Sequence, residues 1–323
     1  MIDRNATGRI KGGRRMVKGM AFVLAAAMLL LAAGCGGSTG QADAKKDTVL
    51  IYDGNYAEYW LVHRMVKLLV EEYTDAKVDI REKMTGVLNF TALVNGDTDL
   101  MNNYDGSVLT TYLHLDVTDI PEGTSTYDFV YNLALEEKGV MMLDKMGFFN
   151  TYVMAVTQPV YEKYGMETIT DLASAAPNLI FGAEHDFFSE EGMAKYNPLC
   201  KFYGLNFKDY RSIDIGLKYS AMDSGNIDCT VAYSTDGLNK KYKLHLLDDD
   251  RAYFPEYNGC ITVRATLFDE MKDVAPNLKE VINMLGGRLS NEIMTDLSYQ
   301  VDVEGKDPMD VARACLKELG LIK

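Results

Sequence analysis

Two similar stretches of the chain each place a tyrosine at the end of a short apolar run. They are LVNGDTDLMNNYDG, which contains Tyr104, and AMDSGNIDCTVAYSTDG, which contains Tyr233. In each, a helix end and a glycine turn precede an acidic residue and a buried strand, and a polar turn follows the tyrosine. The carboxyl ends of strands are where α/β sheets place ligands. A tyrosine there offers a ligand its ring face and hydroxyl, although the position also suits a half-buried core residue.

The other residue types that commonly do chemistry form no catalytic or metal-binding pattern. The four histidines have no i, i+4 partner of ligand type and no evident nucleophile beside them, which argues against a metal site and against an enzyme; they are His63, His114, His185 and His245. Gly36 to Gly40 reads G-x-S-x-G, but it follows no strand and precedes no helix, so it is not a nucleophile elbow. We expect neither a metal nor a cofactor.

Four cysteines follow in the body of the chain without a C-x-x-C motif: Cys200, Cys229, Cys260 and Cys315. Outside the cytoplasm two pairs could form disulfides, in any of three connectivities that the sequence does not separate. We favour buried free thiols.

The amino terminus has the organisation of a secretory signal. Basic residues precede an uncharged run from Ala21 to Ala33, which is too short for a membrane span of roughly 20 residues. Small residues directly before Cys35 resemble the bacterial lipoprotein box, although its large aliphatic residue lies one place early. The box predicts removal of residues 1–34, a lipid on the Cys35 thiol and a flexible polar tether over residues 35–46. The alternative is an ordinary cysteine in an uncleaved anchor.

The chain is acidic. Its formal net charge is −14, and loss of residues 1–34, with six basic side chains and one acid, leaves about −19. Such a charge argues against binding to nucleic acid or to anionic lipid surfaces, and it mildly favours cations. The remaining residues exceed one average domain, which suggests two lobes.

Apolar runs of strand length alternate with amphipathic helical stretches along the mature chain, as in an α/β protein. We predict strands at 48–52, 77–82, 100–104, 151–157 and 178–183, helices at 58–73, 89–94, 168–176, 278–285 and 308–319, and a helix, a glycine turn and a strand in the stretch that ends at Tyr233.

A series of strings from about Thr48 to Ile322 points to one family. They are NGDTDLMNNYDGS, NTYVMAV, YEKYGMETITDLA, GLKYSAMDSGNIDCTVAYSTDG, DDDRAYFPEY and LSYQVDVEGKDPMDVA. In this order and spacing they resemble the osmoprotectant-type substrate-binding lipoproteins of ABC importers, which capture glycine betaine, choline, carnitine and related quaternary amines. The resemblance implies an α/β, periplasmic-binding-protein-like fold of type II: a Venus flytrap of two lobes joined by two crossing strands.

The same resemblance implies where the chain passes between the lobes. The crossings should lie near residues 150–152 and 255–257. Lobe one is then residues 47–149 plus 257–323, and lobe two is residues 150–256.

Binding sites of this family are cages of tyrosines. The matching positions are Tyr104, Tyr152, Tyr233 and Tyr257, with Tyr59 as a further candidate, whereas Tyr219 has the place of a helix-packing residue. A trimethylammonium group has no N–H donor, so water solvates it poorly, and aromatic faces each attract it by roughly 0.5 to 2 kcal/mol when desolvated. The alternative for each tyrosine is a core residue with a solvated hydroxyl.

The sequence departs from the family at the positions that usually supply cations. Glycine betaine binders commonly carry Ser-Lys-x-Phe-Thr-Glu-Gln after the first strand, whereas this chain reads DGNYAEY, with Gly54 at the lysine position. Glu190 stands at the arginine position of lobe two, and Ser107 replaces a threonine after the first cage tyrosine. An alignment slip near Gly192 is the alternative explanation for the missing arginine.

These departures bear on the ligand. A carboxylate in a closed cleft needs a cation or several N–H groups, because an unpaired buried charge is costly. We therefore predict a quaternary ammonium ligand without a carboxylate, choline being the simplest, whose hydroxyl would bond to Ser107, Asn150, Asp186 or Glu190. Glycine betaine or carnitine is the alternative ligand.

The resemblance implies the capture subunit of an importer. The protein would be a monomer, lipid-anchored on the extracytoplasmic face of a bacterial membrane, and would work with permease and ATPase subunits on other chains. A sensor that presents its closed form to a membrane receptor is the alternative of another class, and an extracytoplasmic hydrolase on the same fold is a third.

Overall fold

The computed structural model describes residues 46–189, 195–214, 217–255 and 257–323. The predicted signal peptide, Cys35, most of the tether and Glu190 lie outside these residues. Within the described part of the chain, no helix has the length and apolar character needed to cross a membrane.

The chain up to residue 149 alternates strands and helices. It contains β1 (Thr48–Asp53), α1 (Ala57–Tyr73), β2 (Lys77–Lys83), α2 (Gly86–Asn95), β3 (Leu100–Tyr104), the short α3 (Asp105–Ser107), a π-helical turn (Val108–Tyr112), a 3₁₀ turn (Val117–Asp119), α4 (Thr126–Lys138) and β4 (Val140–Phe149).

The middle of the chain continues the alternation with β5 (Tyr152–Val156), α5 (Gln158–Tyr164), α6 (Ile169–Ala175), a 3₁₀ turn (Ala176–Asn178), β6 (Ile180–Ala183), α7 (His185–Ser189), α8 (Tyr196–Tyr203), β7 (Asp209–Ser212), α9 (Lys218–Asp223), β8 (Cys229–Tyr233), α10 (Gly237–Lys241) and β9 (His245–Leu247). The last part contains β10 (Asn258–Arg264), α11 (Leu267–Met271), α12 (Leu278–Ile282), a 3₁₀ turn (Asn283–Leu285), α13 (Asn291–Asp302) and α14 (Pro308–Glu318). The helices and strands predicted from the sequence are confirmed.

Local sequence explains how several of these elements begin and which face they bury. Helix α1 buries Leu61, Met65 and Leu69 completely, at the spacing of one helix face. Helix α6 begins with a capping box, in which Thr168 and Asp171 each accept a hydrogen bond from the other's backbone N–H. The apolar period and the cap therefore fix the positions of both helices.

The strands form three sheets around two hydrophobic cores. Strands β1 and β2 pair in parallel, β10 lies between β3 and β4 with antiparallel pairing, and the third sheet has the order β7-β6-β8-β5-β9. One core contains buried residues from 49–148 and 260–321, and the other contains buried residues from 154–254. This division runs parallel to the lobes predicted from the sequence, whose boundaries stay a prediction.

The two segments predicted to cross between the lobes lie side by side. The Asn150 backbone N–H donates to the Tyr257 carbonyl at 2.9 Å, and the Thr151 hydroxyl donates to the Pro255 carbonyl at 2.9 Å. The segment that follows β4 is therefore hydrogen-bonded directly to the segment that precedes β10.

Helix α10 lies between β8 and β9 in the chain, and both strands contribute to the second core. The helix itself packs against α13, which contributes to the first core. At this contact an ideal Cβ on Gly237 would lie 2.6 Å from the Tyr299 backbone nitrogen. The two helices therefore approach as closely as they do because residue 237 has no side chain.

The four cysteines of the body are free thiols. Cys229, Cys260 and Cys315 are buried, and burial raises the pKa of the partly buried Cys200 to about 11. The sequence-based preference was for buried free thiols: all four are free, three are buried as predicted, and Cys200 is only partly buried.

Candidate functional site

The two similar sequence stretches fold alike at the start of their strands. Ahead of β3, Asp99 exchanges hydrogen bonds with Leu50: its backbone N–H donates to the Leu50 carbonyl, and its carboxylate accepts from the Leu50 N–H, both at 2.8 Å. Ahead of β8, Asp228 makes the same two bonds with Ile180, again at 2.8 Å. An aspartate thus fixes the start of each strand against a neighbouring strand.

The strand ends bring the four predicted cage tyrosines together. Tyr104 ends β3 and Tyr233 ends β8, where Tyr152 of β5 pairs with it across the ladder. The rings of Tyr152 and Tyr233 are stacked, with centroids 5.3 Å apart and planes inclined by 27°. Tyr257 stands at the second crossing segment, beside Asn150.

These tyrosines line one small cavity between the crossing segments and the two cores. Its volume is about 160 Å³, and its walls are Tyr56, Tyr104, Ser107, Asn150, Thr151, Tyr152, Tyr233 and Tyr257. We call it the cage cavity. Six of the candidates from the sequence therefore share one cavity: the four cage tyrosines, Ser107 and Asn150.

Tyr56 is a fifth ring that the sequence-based candidates did not include. It forms a wall of the cage cavity, and burial raises the pKa of its phenol. The signal was present, because Tyr56 occupies the phenylalanine position of the family stretch Ser-Lys-x-Phe-Thr-Glu-Gln.

A second, larger cavity of about 460 Å³ adjoins the cage cavity. It shares Tyr56, Asn150 and Tyr233 with the cage and is otherwise lined by Ala57, Glu58, Thr235, Asp236, Leu238, Ser298 and Asp302. Three of these residues are acids, so this neighbouring space is electronegative.

Glu58 lines the larger cavity, accepts hydrogen bonds from two walls of the cage cavity, and was also absent from the sequence-based candidates. Its side chain is buried, and its carboxylate accepts hydrogen bonds from the Tyr104 hydroxyl at 2.7 Å, the Asn150 Nδ2 at 2.7 Å and the Thr235 hydroxyl at 2.8 Å. Burial raises the pKa of Glu58, and the three donors oppose that shift. The signal here was the glutamate of the same family stretch, which this chain keeps although it lacks the lysine.

Four of the five phenols around the cage cavity have raised pKa values and are neutral at physiological pH. Burial is the main cause that raises the pKa of Tyr56, Tyr104, Tyr233 and Tyr257 above the ordinary value for tyrosine. Each therefore offers a π face and an O–H group. Such a set can hold a cation without N–H donors and can orient a ligand hydroxyl.

Asn150 lines the cavity and has a buried acceptor without a partner among the described residues. Its Nδ2 must face Glu58, because a carboxylate only accepts hydrogen bonds, and its Oδ1 has no partner among the described residues. Because this oxygen only accepts hydrogen bonds, a ligand carboxylate could not pair with it.

Tyr59 is a correction to the sequence-based candidates, since its side chain is buried in the first core and it does not line the cage cavity. Its ring meets Tyr56 edge to face, with centroids 4.8 Å apart. It also covers Gly54, where an ideal Cβ would lie 2.2 Å from the Tyr59 Cγ. Gly54 replaces the lysine of the family stretch and Tyr59 replaces its glutamine. The two replacements are linked, because the Tyr59 ring occupies the space that a side chain at position 54 would need.

The remaining candidates, Asp186 and Glu190, gain no structural description. Glu190 lies outside the described residues, and so does the side chain of Asp186 on α7. Next to them on this helix, Phe187 is buried, and its ring centroid is 6.1 Å from that of Tyr152.

Among the described residues that line the cage cavity, none is a lysine or an arginine. Outside these walls, the Nζ of buried Lys218 lies 6.0 Å from the Tyr233 ring centroid. Lys218 is already paired, because it donates to the Glu184 carboxylate at 2.5 Å and to the Val231 carbonyl at 2.8 Å. Tyr219, next to it, donates its hydroxyl to Asp236 and packs on the Tyr242 ring, as expected for a packing residue.

Over the described ranges, no group of three histidine, cysteine, aspartate or glutamate side chains is arranged to hold a metal ion. Buried His63 instead contacts Asp53, with its Nδ1 2.9 Å from the carboxylate, and Arg64 binds the other oxygen of Asp53. This cluster holds β1 against α1.

Comparison with known proteins gives concordant matches. Residues 47–318 match the family described as the substrate binding domain of the ABC-type glycine betaine transport system. The carnitine transport binding protein OpuCC of Listeria monocytogenes is 32% identical over 86% of this chain and 89% of its own length. A crystal structure described as a glycine betaine/carnitine/choline ABC transporter is 29% identical with a TM-score of 0.77, over 86% of this chain and 100% of that one.

A further relative has a different ligand in its name. The ergothioneine transport permease/ergothioneine binding protein EgtU of Helicobacter pylori is 30% identical over 99% of this chain, which spans 55% of that protein.

Proposed function

The chain belongs to the family of substrate-binding domains of ABC-type glycine betaine transport systems, and we propose that it captures choline in preference to glycine betaine in a cage of tyrosines. Its fold is that of the type II periplasmic binding proteins. Members of the family are extracytoplasmic solute-binding proteins that work with permease and ATPase subunits, and they are not enzymes.

The observation that carries the proposal is the convergence of five tyrosines on one cavity. Tyr56, Tyr104, Tyr152, Tyr233 and Tyr257 surround about 160 Å³. This volume is below the roughly 300 Å³ at which pockets for drug-sized ligands begin, so it suits a compact ligand. Rings contributing about 1 to 2 kcal/mol each, less the cost of ordering, would reach the roughly −8 kcal/mol of a micromolar binder.

The preference for choline rests on the polar groups of the same walls. A glycine betaine carboxylate would find no lysine or arginine among the described lining residues, and the buried Glu58 carboxylate, which is bonded to the Tyr104 wall, would repel it. A choline hydroxyl could instead bond to Ser107 in the cavity wall, and Asn150, whose Oδ1 is buried and has no partner among the described residues, is the second acceptor that we propose for it. Asp186 and Glu190 stay candidates for this hydroxyl on sequence grounds.

The anchoring proposed for this protein rests on the sequence of residues 1–46. Removal of the signal peptide before Cys35, lipidation of its thiol and a flexible tether would hold the binding protein as a monomer on the outer face of the cell membrane. Metabolic labelling with a tagged fatty acid tests this: Cys35→Ser should abolish labelling, and labelling that persisted would contradict the anchor.

Isothermal titration of the purified protein tests the ligand preference. We expect micromolar binding of choline and at least tenfold weaker binding of glycine betaine, because only the latter buries an uncompensated carboxylate. Carnitine and ergothioneine, the ligands in the names of two relatives, belong in the same titration series. Tighter binding of any carboxylate-bearing ligand than of choline would overturn the proposal.

A further inference from the structure

Glu58 is a buried acid without a cationic partner. Only 3% of its surface is exposed, and its three hydrogen-bond donors, Tyr104, Asn150 and Thr235, are all neutral. No lysine, arginine or histidine of the described chain forms an ion pair with it, whereas other buried acids, such as Asp53 and Asp99, have arginine partners. Buried charges in proteins are normally paired, so the missing partner of Glu58 is a cation.

We propose that Glu58 is the specificity-determining anion of the cage, which makes the site select a positively charged ligand over a neutral molecule of the same shape. The inference rests on the proposed function, in that the cation is the onium head held by the tyrosines. Nothing in the family match or in the relatives' names assigns a role to this residue.

Tyr104 carries the effect of Glu58 into the cage cavity. Its ring forms a wall of the cavity and its hydroxyl donates to Glu58 at 2.7 Å. A phenol that donates to a carboxylate gains electron density on its ring, which strengthens the attraction of that face for a cation. Asn150 makes a second link, because it lines the cavity and donates to the same Glu58 oxygen.

The burial of Glu58 has a direct electrostatic consequence. Burial raises the pKa of Glu58, so its ionised form is costly while no cation is near. A bound cation would offset part of that cost in surroundings from which water is largely excluded, where an attraction between charges is stronger than at an exposed surface. A neutral ligand would provide no such compensation.

The test substitution is Glu58→Gln, which keeps the shape and can keep the hydrogen bonds. The amide oxygen can accept from Tyr104 and Asn150, and the amide nitrogen can donate to Thr235, whose hydroxyl accepts as well as donates. The two ligands are choline and its neutral tert-butyl isostere, in which carbon replaces the quaternary nitrogen.

We expect Glu58→Gln to weaken choline binding about tenfold, equivalent to about 1.4 kcal/mol, and to change binding of the neutral isostere by less than about twofold. Glu58→Asp keeps the charge, so it should retain the wild-type ratio of the two affinities even if both become weaker. A proportional loss of both ligands in Glu58→Gln would show a purely structural role and overturn the inference, as would no change in either.

Asp302→Asn is the matched control, because Asp302 lines the neighbouring cavity but makes no hydrogen bond to a cage tyrosine among the described residues. We expect less than a twofold change in the choline-to-isostere ratio. An equal change in Asp302→Asn and Glu58→Gln would assign selectivity to the general acidity of the cleft and overturn the inference. Failure of wild-type protein to bind choline would instead sink the proposed function, so the two failures are distinguishable.

Discussion

Tyr104 and Tyr233 end equivalent strands, yet their surroundings differ. Tyr104 is 5% exposed, its ring meets Phe148 of the first core, and its hydroxyl is bound by Glu58. Tyr233 is 38% exposed and lies against Tyr152. A common local fold therefore produces one wall of the cage that is locked by a hydrogen bond and one that is an open stack of rings. We expect the locked wall to determine selectivity and the open wall to add mainly contact area.

The largest expected effect is that of Tyr104→Ala. The change removes a π face from the cage and one of three donors from the buried Glu58 carboxylate, so choline affinity should fall by about 30- to 100-fold. Loss of a buried aromatic side chain should also lower the free energy of unfolding by about 3 kcal/mol. Titration and chemical denaturation measure the two effects, and wild-type affinity in a folded variant would contradict this assignment of the wall.

A smaller effect is expected from Tyr233→Ala. The variant should lose about tenfold in choline affinity, because it loses one ring of the stack. Its free energy of unfolding should change by less than about 1 kcal/mol, since this side chain is more than a third exposed. If Tyr233→Ala destabilised the protein as much as Tyr104→Ala, the contrast between a locked and an open wall would be wrong.

The smallest expected effect is a pH dependence of choline affinity, which should arise at the Tyr104 wall through its partner Glu58. The pKa of Glu58 is raised, first by burial and further by nearby Asp236, while bonds from Tyr104, Thr235 and Asn150 lower it. On acidification Glu58 takes up a proton at a higher pH than an ordinary glutamate, so choline affinity should fall while binding of the neutral isostere stays constant.

Unfolding without ligand should respond to pH in the opposite direction. The raised pKa means that the native state holds the Glu58 proton at a pH where the unfolded chain has lost it, so this group adds stability below that range and loses it as pH rises. Titrations and thermal melts between about pH 4 and 8 measure both trends. Burial also raises the pKa of Asp302, in the adjoining cavity, to about 6, so Asp302 adds a stability change of the same sign. Glu58→Gln should therefore remove the trend in choline affinity and reduce the trend in stability, and a variant with unchanged pH profiles would place their origin elsewhere.

The sequence predicted much of this arrangement through local patterns. The phrases around Tyr104 and Tyr233 predicted two strand ends, and the resemblance added Tyr152 and Tyr257, all of which now line one cavity. The lobe boundaries and the identity of the ligand are not tested by the fold itself and stay proposals.

Other features depend on contacts that no local pattern encodes. Glu58 and Thr235 are 177 residues apart in the chain, so the local sequence around either residue does not predict their hydrogen bond. Tyr59 shows the opposite case: it stands in a stretch rich in site residues, but the period of α1 turns its ring toward the core. Strands β4 and β10 have irregular register where they pair, which obscures the alternation that would indicate them.

The contact of Gly237 with α13 limits the size of the residue that position 237 can hold. A methyl group at residue 237 would act as a wedge between α10 and the Tyr299 backbone. Thr235, which donates to the Glu58 carboxylate, is only two positions earlier in the chain, so a shift of α10 would act on this hydrogen bond. The approach of α10 to α13 therefore requires that residue 237 carry only a hydrogen atom, and any bulkier residue there would force one of the two helices to shift.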